Sequence, residues 1–173
     1  MNDLHGIIFA YQSHRNLGEL TRHRNTCSVP FGGRHRLIDF MLSNMVNAGI
    51  TNIGIATDFN YKSLLDHIGT GKDWDLARRS GGIRILPPYI ASYNSVNGGR
   101  LYTTRLEALM GVTDFIKRCK EDVLVLSDCD AVCNINIADV LAFHEKKKAD
   151  VTIVSAKKDF GACEFRANVT GLE

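Results

Sequence analysis

The chain has 173 residues, a formal net charge of +2, 45% hydrophobic residues and 23% charged residues. These values are typical of a globular protein with about one domain and a real core, and the small charge gives no reason to expect nucleic acid as a partner. No segment approaches the ~20 apolar residues that span a bilayer, and the first residues lack the basic region of a signal peptide. We therefore expect a cytoplasmic protein without a membrane partner.

Strands and helices alternate along the sequence. Apolar runs predict strands over residues 5–10, 52–57, 83–86, 123–126 and 151–154. Apolar residues at helical spacing predict helices over residues 36–48, 61–67, 104–119 and 137–147. This alternation is typical of an α/β protein with a mostly parallel sheet covered on both faces. Ligands of such sheets bind beyond the carboxyl ends of the strands, so we expect the loops after Ala10, Thr57, Leu86 and Leu126 to surround one cleft.

The predicted helix over residues 104–119 is amphipathic. Its apolar side chains fall on one side at helical spacing, and we expect that side to face the core. The predicted core positions are Leu106, Leu109, Val112 and Ile116.

The same alternation also occurs in ordinary dinucleotide-binding folds. The loop after the first strand lacks the G-x-G-x-x-G pattern, and Thr57 with Asp58 is a poor match to the acidic residue that ends the second strand of such folds. The sequence therefore favours a different α/β protein, and a dinucleotide-binding fold remains the alternative.

The cysteines do not predict a metal centre. There are five of them, Cys27, Cys119, Cys129, Cys133 and Cys163. Cys129 and Cys133 are close in sequence, but no second pair accompanies them as a zinc site would require. We expect free thiols, the usual state in the cytoplasm.

Residues 29–50 contain VPFGGRHRLIDFMLSN followed by NAGI. This segment closely resembles the start of the ADP-glucose pyrophosphorylase (glucose-1-phosphate adenylyltransferase) family, and the resemblance extends over residues 4–155. It implies a Rossmann-like, three-layer nucleotidyltransferase (GT-A-like) domain over residues 1–173, with residues 156–173 unassigned. The family's acid–lysine pair for the sugar, its second metal aspartate and its C-terminal β-helix domain are not visible here. The resemblance therefore implies a truncated sequence, either a fragment or one with segments left out.

The family's phosphate-binding loop, A-G-G-x-G-x-R-L followed by a lysine, is altered in this chain. Tyr11, Gln12 and His14 stand at its glycines, Asn16 at its arginine and Thr26 at its lysine. Glycine lets a backbone approach phosphates closely, and arginine binds them with a planar, permanently charged fork. The replacements predict a loop that has lost its phosphate contacts.

Cations near this loop keep a second interpretation open. Arg15 or the basic residues 22–24 can compensate for the missing arginine. Arg34 and Arg36 form another basic cluster at a predicted helix start, where backbone N–H groups also favour anions. These two arginines are therefore candidate anion-binding residues, and a solvated surface is the alternative.

Residues 101–109, LYTTRLEAL, are similar to the family's W-Y-x-G-T-A-D-A-V segment, which closes over the base and ribose. Thr104, Arg105 and Glu107 stand at its glycine, threonine and aspartate. The resemblance makes these residues degenerate equivalents of the base and ribose loop. Arg105 is either a solvated charge or an anion contact, and the usual solvation of charged side chains favours the former.

Residues 123–136, VLVLSDCDAVCNIN, are similar to a family strand followed by S-G-D-H, whose aspartate holds the catalytic Mg²⁺. Alignment from the strand puts Cys129 at that aspartate, whereas alignment from the following helix puts Asp130 there. Asp130 is therefore the candidate metal ligand and Asp128 the other nearby carboxylate, since magnesium prefers carboxylate and phosphate oxygens. The alternative is a strand-end aspartate that caps a turn. No cofactor is required by the sequence, and Mg²⁺ is expected only if a nucleotide binds.

A kept fold with replaced functional residues resembles the D-type (GlgD-type) subunit of bacterial glycogen synthesis. The resemblance implies a regulatory, non-catalytic partner of a catalytic glucose-1-phosphate adenylyltransferase subunit, which makes ADP-glucose from ATP and glucose 1-phosphate. The implied assembly is a hetero-oligomer, expected to be a tetramer. The alternatives are an active sugar-nucleotide transferase and a stand-alone module that binds a nucleotide or a sugar phosphate.

Overall fold

The computed structural model describes residues 4–10, 17–57, 60–78, 80–87 and 104–155. The strands are β1 Leu4–Ala10, β2 Pro30–Phe31, β3 His35–Arg36, β4 Asn52–Thr57, β5 Gly82–Leu86 and β6 Val123–Asp128. The helices are α1 Leu37–Asn47, α2 Lys62–Ile68, α3 Arg105–Gly111, α4 Thr113–Arg118 and α5 Ile137–Lys147. The chain divides into two compact units, residues 1–137 and residues 138–173.

A parallel sheet forms the centre of the first unit. Its four strands lie in the order β5-β4-β1-β6, and each neighbouring pair is parallel. The remaining two strands, β2 and β3, form a short antiparallel ribbon. The α/β class with a mostly parallel sheet is thus confirmed. Because the strands are parallel, Ala10, Thr57, Leu86 and Asp128 end at the same edge, which we call the carboxyl edge.

Helices cover both faces of this sheet. On one face, a Cβ added to Gly6 would lie 2.7 Å from Sδ of Met45, so α1 packs directly on β1. On the other face, Phe115 of α4 lies against Gly54, where an added Cβ would be 2.8 Å from the ring. The second face carries one apolar cluster, formed by Ile7, Phe9, Ala56, Ala108, Val112 and Phe115. Helix, sheet and helix give the three layers that the resemblance implied.

The predicted helix over residues 104–119 is interrupted. Val112 has φ −106° and ψ 13°, which separates α3 from α4. Ala108 and Val112 mark the buried face at the α3 end of this segment, and the first residue of the predicted apolar stripe, Leu106, lies off that face. Leu106 is 66% exposed, whereas Ala108 and Phe115 are buried. The predicted core role of Leu106 was therefore wrong, while Val112 is buried as expected.

The strand predicted over residues 151–154 is also wrong, because the structure assigns no strand to residues 151–155. Val151 and Ile153 are 76% and 69% exposed. Residues with high β-propensity form a strand only when a neighbour accepts their backbone hydrogen bonds and their side chains are packed, and neither condition is met in the described part of the chain.

Among the described residues, the helices are too short and too polar to traverse a bilayer.

Candidate functional site

The carboxyl edge is where the sequence places most of the candidate residues. Tyr11, Gln12, His14 and Asn16 lie outside the described residues. Thr26 and the candidates at residues 34–36, 104–107 and 128–130 lie within the described residues.

A short segment after the first loop closes the end of β1. Asn25 donates a hydrogen bond from Nδ2 to the carbonyl oxygen of Ala10 over 3.2 Å, and Ser28 Oγ donates to Asn25 Oδ1 over 2.6 Å. Between them, Thr26 is only 3% exposed, and its hydroxyl has no hydrogen-bond partner among the described residues. The position that resembles the family's lysine thus holds a small buried hydroxyl, which supplies no positive charge to the carboxyl edge.

Thr104 and Glu107 form the start of α3. The Glu107 N–H donates to Thr104 Oγ1, and the Thr104 N–H donates to Glu107 Oε2, each over 3.2 Å. This reciprocal pair is a capping box, which satisfies backbone donors that a helix start otherwise leaves unpaired. The T-x-x-E spacing is a known sign of this structure, and sequence analysis did not use it. Both residues therefore have a local structural role in this chain.

Arg105 binds the carboxylate at the end of β6. Its Nε donates to Asp128 Oδ1 over 2.8 Å, and its Nη2 donates to Oδ2 over 2.5 Å. Two parallel bonds of this kind fix the guanidinium geometrically. The Arg105 side chain is 63% exposed, so the pair contributes little to stability. Arg105 is thus a largely solvated charge, as the sequence favoured, that also contacts an anionic group of the same chain, Asp128.

The residue after Asp128 is a buried thiol. The Cys129 N–H donates to the carbonyl oxygen of Phe9 over 3.2 Å, which holds the turn against β1. A hydrogen bond with Cys27, together with burial, raises the pKa of the Cys129 thiol well above its usual range. Cys129 is therefore a neutral thiol at the position that the strand-based alignment equates with the metal aspartate.

Asp128 and Cys129, as the structure places them, are poorly suited to hold magnesium. Magnesium takes hard oxygen ligands, usually one or two carboxylates together with substrate phosphates. Asp128 is held by an internal cation, and Cys129 is a soft, protonated donor. Asp130 lies in the turn after β6 and is half-buried. The metal role of Asp130 stays a prediction that rests on the helix-based alignment alone.

The basic cluster before α1 is partly engaged within the chain. Arg36 donates from Nη1 to the carbonyl oxygen and the hydroxyl of Ser63, over 2.5 and 2.8 Å. At the helix start, a carboxylate oxygen of Asp39 accepts the Arg36 N–H over 2.9 Å, and the other lies 2.6 Å from His67 Nε2. Arg34 is exposed in the turn between β2 and β3. Anion binding by Arg34 and Arg36 therefore stays a prediction, with Arg36 already committed to Ser63.

Comparison with known proteins matches residues 6–170 to the family described as nucleotidyl transferase. The chain is 39% identical over 147 residues to a glucose-1-phosphate adenylyltransferase of Clostridium kluyveri, covering 85% of this chain and 37% of that protein. It is 38% identical over 155 residues to the glycogen biosynthesis protein GlgD of Bacillus subtilis, covering 88% of this chain and 43% of that protein. The chain thus spans less than half the length of these relatives.

A solved structure shows the same fold. It is described as a putative glucose-1-phosphate thymidylyltransferase from Bacillus anthracis in complex with a sucrose, with a TM-score of 0.62 and 20% sequence identity. The match covers 84% of this chain and 51% of the other. At this identity the likeness concerns the arrangement of strands and helices.

Proposed function

The chain belongs to the nucleotidyl transferase family, and on that premise we propose that the full-length protein is a regulatory, non-catalytic subunit of glucose-1-phosphate adenylyltransferase. In this role it modulates a catalytic homologue that makes ADP-glucose from ATP and glucose 1-phosphate for glycogen synthesis. Similarity to both an adenylyltransferase and GlgD supports this pathway.

The buried, neutral thiol of Cys129, at the position that the strand-based alignment equates with the metal aspartate, is the observation that carries the proposal. Transfer of a nucleotidyl group depends on positioning the phosphates and neutralising their charge, so a metal-binding carboxylate and nearby cations are essential. The neighbouring carboxylate, Asp128, is paired with Arg105 of the same protein. Thr26 contributes no cation, and Cys129 contributes no carboxylate.

A partner subunit needs its fold and its contact surfaces more than its reaction site. In the described part of the chain, helices cover both faces of the four-stranded sheet, and the rings of Phe31 and Phe40 pack edge to face at 5.5 Å. Phe31 is nevertheless 48% exposed, so this segment presents an apolar ring at the surface of the described chain. Related chains in one assembly reuse similar interfaces. An intact scaffold around an altered edge is therefore what assembly with an active homologue requires.

Mixing the full-length protein with the catalytic subunit of the same organism tests this proposal. We expect the two proteins to elute together in gel filtration. We also expect the mixture to make ADP-glucose faster than the catalytic subunit alone, with the affinity for effectors changed about fivefold or more. A matched mixture with an unrelated protein of similar size controls for crowding. Separate elution with purely additive rates would exclude assembly and favour the stand-alone binding module.

A further inference from the structure

The end of the sheet opposite the carboxyl edge holds one buried and three half-buried polar side chains. His5 lies near the start of β1, Asn52 begins β4, and Cys119 and Glu121 lie between α4 and β6. His5 is only 3% exposed, and neither of its ring nitrogens has a hydrogen-bond partner among the described residues. The buried Oδ1 of Asn52 also lacks one there. We call His5, Asn52, Cys119 and Glu121 the amino-end cluster.

Unpartnered buried nitrogens are rare in native proteins, because removing them from water without a replacement bond costs free energy. An unpartnered buried nitrogen indicates a missing ligand when other atoms able to bind a metal lie close to it. In the amino-end cluster, a ring nitrogen of His5, Sγ of Cys119 and a carboxylate oxygen of Glu121 all lie within 4.8 Å of one another. Ligand atoms around a tetrahedral zinc ion are separated by roughly 3.3–3.8 Å, given bonds of about 2.0–2.3 Å. Side-chain shifts of about 1 Å would bring these atoms to that spacing.

We propose that His5, Cys119 and Glu121 bind a zinc ion at the amino end of the sheet. Imidazole nitrogen, thiolate sulfur and carboxylate oxygen are the donors that zinc takes in proteins, whereas magnesium avoids sulfur. A thiolate and a carboxylate also balance the charge of a divalent ion.

The surroundings support metal binding by these residues. The Asn52 amide donates from Nδ2 to Cys119 Sγ over 3.3 Å and to Glu121 Oε2 over 3.4 Å, an outer contact of the kind that orients metal ligands. Burial lowers the pKa of His5, which favours the neutral imidazole that metals bind.

The position of the site gives it a structural role. His5 and Ala10 are at opposite ends of β1, about 16 Å apart along an extended strand. Zinc at the amino-end cluster would therefore tie β1 to the connection between α4 and β6, away from the carboxyl edge and independently of the proposed regulatory function.

Metal content of the full-length protein tests the site directly. After loading with zinc and gel filtration, we expect about one retained zinc per chain by mass spectrometry. The Cys133→Ser variant is the matched control, because Cys133 is an exposed cysteine outside the cluster. Retention should persist in Cys133→Ser and should be lost in Cys119→Ser and His5→Gln, with circular dichroism confirming that each variant is folded.

Two measurements on the unaltered protein keep the test decisive if a variant fails to fold. Cobalt in place of zinc should give a thiolate charge-transfer band, and zinc should slow alkylation of Cys119 but not of Cys133 in mass-spectrometric mapping. A protein that retains no zinc, shows no such band and alkylates Cys119 equally with and without zinc would overturn the proposal. Zinc retained fully by a folded Cys119→Ser variant would overturn it as well.

Discussion

Replacing Phe115 with alanine is expected to lower the free energy of unfolding by about 3–5 kcal/mol. Phe115 is 6% exposed and joins α4 to the sheet through the cluster that contains Ile7 and Phe9. Its ring also lies against Gly54, so the strand has no side chain with which to fill the space left by the ring. Since domains are stable by only about 5–15 kcal/mol, this single change should remove a large share of the total.

Denaturant unfolding followed by circular dichroism measures the effect, and Phe143→Ala is the matched control. Phe143 is 53% exposed on α5, so the same chemical change should cost much less there, within about 1 kcal/mol. Equal losses from the two variants would contradict the assignment of the core to the face covered by α3 and α4.

Restoring the family's phosphate loop is expected to raise the affinity of the full-length protein for ATP about tenfold or more. The variant combines Tyr11→Gly, Gln12→Gly, His14→Gly, Asn16→Arg and Thr26→Lys. Glycines allow backbone N–H groups to approach the phosphates, and the two cations add charge-assisted bonds. Calorimetry in the presence of Mg²⁺ measures the change.

Adding Arg105→Thr to that variant distinguishes the contribution of the phosphate loop to ATP affinity from the contribution of the Asp128 carboxylate. Removing the guanidinium frees Asp128, so we expect a further gain in ATP affinity that depends on Mg²⁺. Arg105→Thr alone is the matched control and should leave ATP binding weak. If the restored loop does not change ATP affinity while the fold is intact, the replacements at residues 101–109 and 127–130 are sufficient by themselves to prevent ATP binding.

The central strands were predictable because burial on both faces leaves a continuous apolar run. The strand predicted over residues 52–57 has the observed bounds of β4, and Ile53, Ile55 and Ala56 are fully buried. The prediction for β6 stopped two residues early, since Ser127 and Asp128 are polar and pair with β1 only through the backbone. Hydrophobicity therefore locates a strand better than it locates its end.

Contacts between distant residues were not predictable from local pattern. Arg105 meets Asp128 because the capping box fixes where α3 begins and because β6 ends at the same edge as β1. The amino-end cluster is a stronger case, since His5 and Cys119 are 114 residues apart in the sequence and no motif connects them. The spacing of apolar residues predicts helices and strands. The Arg105–Asp128 pair and the amino-end cluster depend on how those elements pack together, which the spacing does not reveal.

ADP-glucose synthesis by the full-length protein, assayed alone and with the catalytic subunit, distinguishes a regulatory subunit from an active transferase. We expect negligible synthesis by the protein alone, because Cys129 supplies no carboxylate and Thr26 supplies no cation. We also expect the same preparation to change the rate of the catalytic subunit. Robust synthesis by a preparation free of the catalytic subunit would contradict the account and identify an active transferase.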